Sequence, residues 1–212
     1  MRSGIFSLLV IATGLAQTPL PELRIDAIAG GSVLFVRNLS RQPLTAYLIE
    51  LVDYPGSSFT FWQDEIPGGE PIAPGLEKRI QITNMTVGAV PDYVKLRAAI
   101  YADGSTVGVP EKVALMVGRR KAQLDAARDL IARLESVKPA ATAEAAEGLS
   151  LWADSLKSEG RPDYNSARWV NRAAQRTLVL HFKQKLAAET LADVLARVRA
   201  AERQLASSKT TP

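Results

Sequence analysis

Apolar and polar residues take turns from Tyr93 to Ala102. Val94, Leu96, Ala98, Ile100 and Ala102 fall on one side, Tyr93, Lys95, Arg97 and Tyr101 on the other. A period of two is that of a half-buried strand. Comparable runs predict strands at 23–29, 33–37, 44–52, 59–62 and 78–83, with a short return at 105–107 after the Asp103-Gly104 turn. Gly, Pro, Asn and Ser clusters separate them, and such residues punctuate chains because each suits a turn backbone for its own steric reason. Seven short strands in about 90 residues predict an antiparallel β-sandwich of immunoglobulin or fibronectin-III type.

The spacing changes at Pro110, a residue suited to a first helical turn. Val113, Val117, Arg120, Leu124, Ala127, Ile131 and Leu134 recur at threes and fours, flanked by Met116 and Leu130, and predict a helix over 110–137 stopped by Pro139. Gly118 within it suggests close packing onto the sandwich. Thr142 is the expected cap of a second helix ending near Gly160, with the stripe Ala145, Leu149, Trp152 and Leu156. Asp163 is the expected cap of a third, whose stripe of Trp169, Ala173, Leu180, Ala187, Leu191, Val194, Val198 and Leu205 runs to about Ala206. Thr190 and Asp193 equally fit the start of a fourth helix after a turn at 187–189. Short connections favour antiparallel neighbours, so three helices side by side are the economical arrangement. The reading is therefore α+β: a sandwich over 18–110, helices over 111–207 and a disordered tail at 208–212. The first helix begins so soon after the last strand pair that Leu115, Met116 and Val117 are expected to cover one end of the sandwich.

The first 17 residues stand apart. Arg2 leads the apolar run 5–12, and Gly14 and Ala16 are the small residues of a cleavage site. The run is too short to span a bilayer, so a signal peptide is expected, with export to the periplasm or beyond. The chain has no cysteine, which excludes disulfides, thiolate metal sites and a cysteine nucleophile. The net charge of +4 is uneven. Residues 18–110 hold seven Lys/Arg against ten Asp/Glu, residues 111–212 eighteen against twelve, and Arg2 adds one. An exported basic half reads first as ordinary solvated helix faces and, where it meets a partner, points to anionic lipid or cell-wall polymer rather than nucleic acid.

Residues 36–47, Val-Arg-Asn-Leu-Ser-Arg-Gln-Pro-Leu-Thr-Ala-Tyr, resemble a block found in uncharacterised exported bacterial proteins with an immunoglobulin or fibronectin-III-like sandwich. Ile72-Ala73-Pro74-Gly75 before an Ile-x-Ile strand, and Ile100-Tyr101-Ala102-Asp103-Gly104-Ser105 before Gly108 and an Arg-bearing helix, resemble further blocks of the same proteins. The resemblance covers about 32–120 and implies a fold, with no activity attached. Val109 departs from it, standing where a polar helix cap is expected. Asn38 and Ser40 are placed to bond their own backbone at a strand corner. Asn38 and Asn84 also open glycosylation sequons.

Little catalytic chemistry is legible. His181 is the single histidine, with neither a second His for zinc nor a serine to activate, and it reads as an ordinary helix residue. Asp64-Glu65 and Asp26 are the candidates for a carboxylate pair. Phe61 and Trp62 read as packing at the sandwich edge. No cofactor is expected. Arg168, Arg172 and Arg176 recur every four residues on one helix face, with Lys183 one step further, forming a row of positive charge. At roughly 1 kcal/mol per basic residue beside an anionic surface, the row alone is too weak an anchor. The expected function is that of a non-enzymatic interaction or scaffold protein of the cell envelope, its partner another protein, a second copy bound through the helical half, or an anionic lipid or polymer. An envelope hydrolase built on carboxylates is the alternative.

Overall fold

The computed structural model describes residues 18–66, 68–138, 141–158 and 160–208. The expected leader lies outside these residues, as does all of the expected tail but Ser208. Strands β1 (Glu22–Ile28), β2 (Gly31–Arg37), β3 (Leu44–Leu51), β4 (Thr60–Asp64), β5 (Glu77–Thr83), β6 (Val94–Tyr101) and β7 (Thr106–Gly108) come first. Helices α1 (Pro110–Glu135), α2 (Thr142–Ser155), α3 (Ala167–Leu186) and α4 (Leu191–Ser207) follow. Every strand pair is antiparallel, in a three-stranded sheet of order β1-β2-β5 and a four-stranded sheet of order β4-β3-β6-β7. Leu34 and Val36 of the first sheet meet Tyr47, Ile49, Leu96, Ala99 and Tyr101 of the second in a shared core. The chain is thus α+β, a two-sheet sandwich followed by four helices.

Asn38 shows why the sandwich corner has its sequence. Its amide nitrogen donates to the carbonyls of Gln42 and Ile72, both at 2.8 Å, and its oxygen accepts from the Ser40 amide at 2.9 Å. The side chain satisfies the backbone of two loops and is fully buried, so the folded chain offers no glycosylation acceptor there. In the other turn only Gly104 takes a positive φ, 86°, while the Asp103 carboxylate accepts from Ser105.

The alternation of β6 breaks midway. Leu48 pairs with Ala98 but Ile49 with Leu96, leaving Arg97 as an extra residue; Leu44 pairs with Tyr101 but Ala46 with Ile100, leaving Thr45 extra on β3. Each is a bulge, which re-aims side chains and bends its strand. Val94 and Leu96 therefore share the inter-sheet core with Ala99 and Tyr101, whereas Ala98 and Ile100 face outward. This corrects the single alternating face expected over Val94 to Ala102.

That outward face is covered. Met116 of α1 packs on Ala46, Leu48, Ala98 and Ile100, with Val113, Val117 and Trp62 beside it. The helix thus lies across the face of the four-stranded sheet as a third layer, not over one end of the sandwich, and Leu115 is buried outside this cluster. Trp62 packs beneath α1, and Phe61 lies 6.4 Å from Tyr47, centroid to centroid, so both aromatics are packing residues.

The opposite flank of α1 joins the helical core. Ala126, Ala127, Leu130 and Leu134 meet Leu178, Val179 and Phe182 of α3 and Val194, Val198, Ala201 and Leu205 of α4, and Ala145, Leu149 and Ala153 of α2 complete the cluster. Four helices form where three were the economical count. The chain breaks after Leu186, and Thr190 caps α4 by accepting from the Asp193 amide at 3.2 Å. Two expected caps move. Ser166 rather than Asp163 caps α3, and Ala141 precedes α2 without a side-chain cap. The α3 stripe also shifts by one residue, to Val170, Ala174, Leu178, Phe182 and Leu186, because both candidate stripes are apolar and the larger one is buried. Gly118 faces Asn171 of α3, not the sandwich. Among the described residues no helix is long and apolar enough to cross a membrane.

Candidate functional site

The polar groups of the junction between sheet and helices are built by the two bulges. Thr45, on the first, donates its hydroxyl to the Ile100 carbonyl at 2.9 Å and accepts from the Arg120 guanidinium at 2.8 Å. Arg120 also closes on Asp64 of β4 through Nε and a terminal nitrogen, each bond 2.9 Å long. Arg119 stands 3.8 Å from the same carboxylate. Burial pushes the Arg119 guanidinium below its ordinary range, Asp64 opposes that push, and Arg120 adds to it. Buried charges persist when paired and hydrogen-bonded, as Arg120 and Asp64 are, so this pair is a lock between layers. The signal for it was present in the sequence: an arginine within an apolar helical stripe.

Arg97, on the second bulge, lines an open cleft of about 540 Å³. Its floor holds Glu50, Arg97 and Lys112, and the loop before α3 supplies Arg161, Asp163, Tyr164 and Asn165. Lys112 donates to Glu50 at 2.7 Å and to the Asn165 side-chain oxygen at 2.6 Å. Arg97 Nε is 3.8 Å from Glu50, is buried, and has no hydrogen-bond acceptor. Asp53, also lining the cleft, adopts a φ of 56°, a left-handed conformation uncommon for a residue with a side chain. Backbone irregularities of this kind gather at functional sites.

A second hollow, of about 740 Å³, opens where α2 ends and α3 begins, and it shares Arg161 and Asp163 with the cleft. Lys157, Arg161, Arg168 and Arg172 line it, with Asp154, Asp163 and Trp169. The row expected on α3 is therefore divided. Arg168 and Arg172 reach this hollow, and Arg176 lines a neighbouring groove with Trp169 and Leu156. Lys183 lines neither. Arg172 donates to the Ser155 carbonyl and Arg176 to the Ala153 carbonyl at 3.2 Å, so both cap the C-terminus of α2, where cations are favoured. Lys157 pairs with Asp154 at 2.8 Å. Arg161 and Arg168 make no ion pair among the described residues. Lys157 and Arg161 were missed by the sequence reading, since they sit in a connection with no period to link them to a helix face.

The carboxylate pair does not assemble. Asp64 and Glu65 are adjacent on an extended chain and so point to opposite sides. Asp64 meets α1, and Glu65 pairs with Lys78 of β5. Asp26 pairs with Arg24 at the surface. His181 is a surface helix residue against Phe182, its pKa pushed down by partial burial and by Lys185, with Glu189 opposing. Among the described residues no group of three His, Asp or Glu side chains is arranged to hold a metal ion. Compared with known proteins, the chain matches no family model, no curated protein and no solved structure.

Proposed function

We propose that the protein is a non-enzymatic interaction or scaffold protein of the bacterial envelope, exported, with a fibronectin-III-like sandwich as its frame and the α2–α3 corner as its binding surface. The observation that carries this reading is the basic hollow. Four cations line it, Arg161 and Arg168 stand without an ion-pair partner among the described residues, and Trp169 lines the hollow beside them. The chemistry suits a segment of an anionic polymer, whose repeated charges meet several cations at once. The recess favours a strand of polymer over a lipid surface, which would call for a protruding basic face. The division into sheets of order 1-2-5 and 4-3-6-7 supports the resemblance to the sandwich proteins. The carboxylate-hydrolase reading has less behind it, since Glu50, Asp64 and Glu65 each face a specific cation. Self-association through the helical half has one large exposed apolar anchor among the described residues, Leu151 on α2.

Titration with poly(glycerol phosphate) tests the reading, with phosphatidylglycerol vesicles in parallel. Saturable binding to the polymer is expected, weakened by salt as exposed charges are screened. Arg168→Gln with Lys157→Gln should weaken it about 10- to 30-fold, at roughly 1 kcal/mol per cation. Equal binding by the variant, or binding to vesicles alone, would contradict the assignment.

A further inference from the structure

We propose that the cleft floored by Glu50, Arg97 and Lys112 is a binding site for a small organic monocarboxylate, adjoining the polymer-binding hollow across Arg161 and Asp163. The inference starts from charge. Two cations share one carboxylate on the floor, and that carboxylate is already committed: Glu50 takes Lys112 at 2.7 Å, while Arg97 Nε stays 3.8 Å away without an acceptor. Lys112 has a further partner in Asn165. The unmet donor is the buried Nε of Arg97, and the guanidinium that carries it lines the cleft, with a planar fork that matches a carboxylate through two parallel hydrogen bonds.

The backbone holds Arg97 in that position. It is the extra residue of a bulge, and its carbonyl accepts from the Val109 amide at 2.8 Å. Gly108, at a φ of 122°, lies so close that a Cβ there would strike that carbonyl. The end of β7 and the start of α1 thus pin Arg97, and a pre-positioned group loses less entropy on binding.

The walls and rim select the rest of the ligand. Leu51, Val52, Phe59 and Tyr164 give apolar surface for an organic body, and about 540 Å³ lies within the usual range for small-molecule sites. Asp53 and Asp163 stand with Glu50 around the cleft. Arg161 on the rim offsets one of them, so the rim of Asp53, Asp163 and Arg161 keeps one net negative charge above a floor with one net positive charge, and a single negative charge on the ligand meets less repulsion there than two. This favours a monocarboxylate over a phosphate.

Phenylacetate is the probe, with phenylacetamide as its uncharged counterpart and phenyl phosphate as the dianion. Binding is followed by chemical-shift changes in the full chain. Phenylacetate is expected to saturate in the millimolar range, shifting the Arg97 side-chain signal and the Tyr164 and Asn165 amides. The amide and the phosphate should each bind at least about tenfold more weakly, as should the Arg97→Gln variant. Arg168→Gln with Lys157→Gln should bind phenylacetate as the unaltered protein does, which separates this site from the polymer site. Equal binding of acid and amide, tighter binding of the phosphate, shifts confined to other residues, or no saturable shift would each overturn the proposal. The acid–amide comparison uses unaltered protein, so it decides even if Arg97→Gln folds poorly.

Discussion

Arg120 of α1 and Asp64 of β4 are joined by two hydrogen bonds of 2.9 Å, with both side chains almost wholly buried. A buried pair is costly to break because one charge is left without its partner. Asp64→Ala and Arg120→Met should each destabilise the fold by about 3–5 kcal/mol in urea unfolding. Replacing both, as Asp64→Leu with Arg120→Met, should recover part of that loss, since an apolar pair removes both desolvation penalties together but leaves the buried Arg119 without its carboxylate. Additive losses in the double variant would mean the pair does not act as a unit.

Met116 is the apolar counterpart of that lock, buried on Ala46, Leu48, Ala98 and Ile100. Met116→Ala is expected to cost about 2–5 kcal/mol. Gly118→Ala should do the opposite. Its Cβ would sit 3.4 Å from Asn171 Oδ1, an ordinary contact, and removing a helical glycine gains up to about 1 kcal/mol. A large loss at Gly118 would show that α1 and α3 lie closer than this.

Chain cuts distinguish the two flanks of α1. Ending before Pro110 bares the outer face of the four-stranded sheet, so the remaining sandwich should fail to fold cooperatively. Ending after Lys138 keeps that face covered but bares Ala126, Ala127, Leu130 and Leu134. This longer fragment should fold, yet associate at micromolar concentration in sedimentation. Equal melting temperatures for two monomeric fragments would make α1 an independent arm.

Tyr101 predicts a loss of stability in alkali. Its hydroxyl donates to the Pro19 carbonyl at 2.6 Å, and burial pushes its pKa up to about 12. A phenol in the unfolded chain ionises near pH 10. The contribution is thus fully present below about pH 10 and lost as the pH rises to about 12. Tyr101→Phe should be less stable at neutral pH, lacking the hydrogen bond, but should lose less between those limits. Tyr47 is shifted in the same direction, by burial first and by Glu65 second, so the flattening is partial. An unchanged slope would contradict the burial of Tyr101.

The strands were legible because their turn residues are specific and most alternate cleanly. The face of β6 was not. Leu96, Ala98 and Ile100 keep an unbroken rhythm through the Arg97 bulge, and beyond it residues 98–101 are all buried, so no polar residue there reveals the switch. The start of α4 was legible in Thr190 and Asp193, whereas α3 offered two apolar stripes one residue apart. At the candidate site, the row on α3 was visible at a spacing of four. Lys157 and Arg161 join it only through the path of the α2–α3 connection, and no local pattern records that path.

Native-state hydrogen exchange across β3, β6 and α1 tests most directly whether the first helix is the third layer of the sandwich. The account predicts that the core amides of Leu48, Ile100 and Met116 open together, with one free energy equal to that of global unfolding. Exchange of the α1 amides through a separate, lower-energy opening, with β3 and β6 still protected, would contradict it.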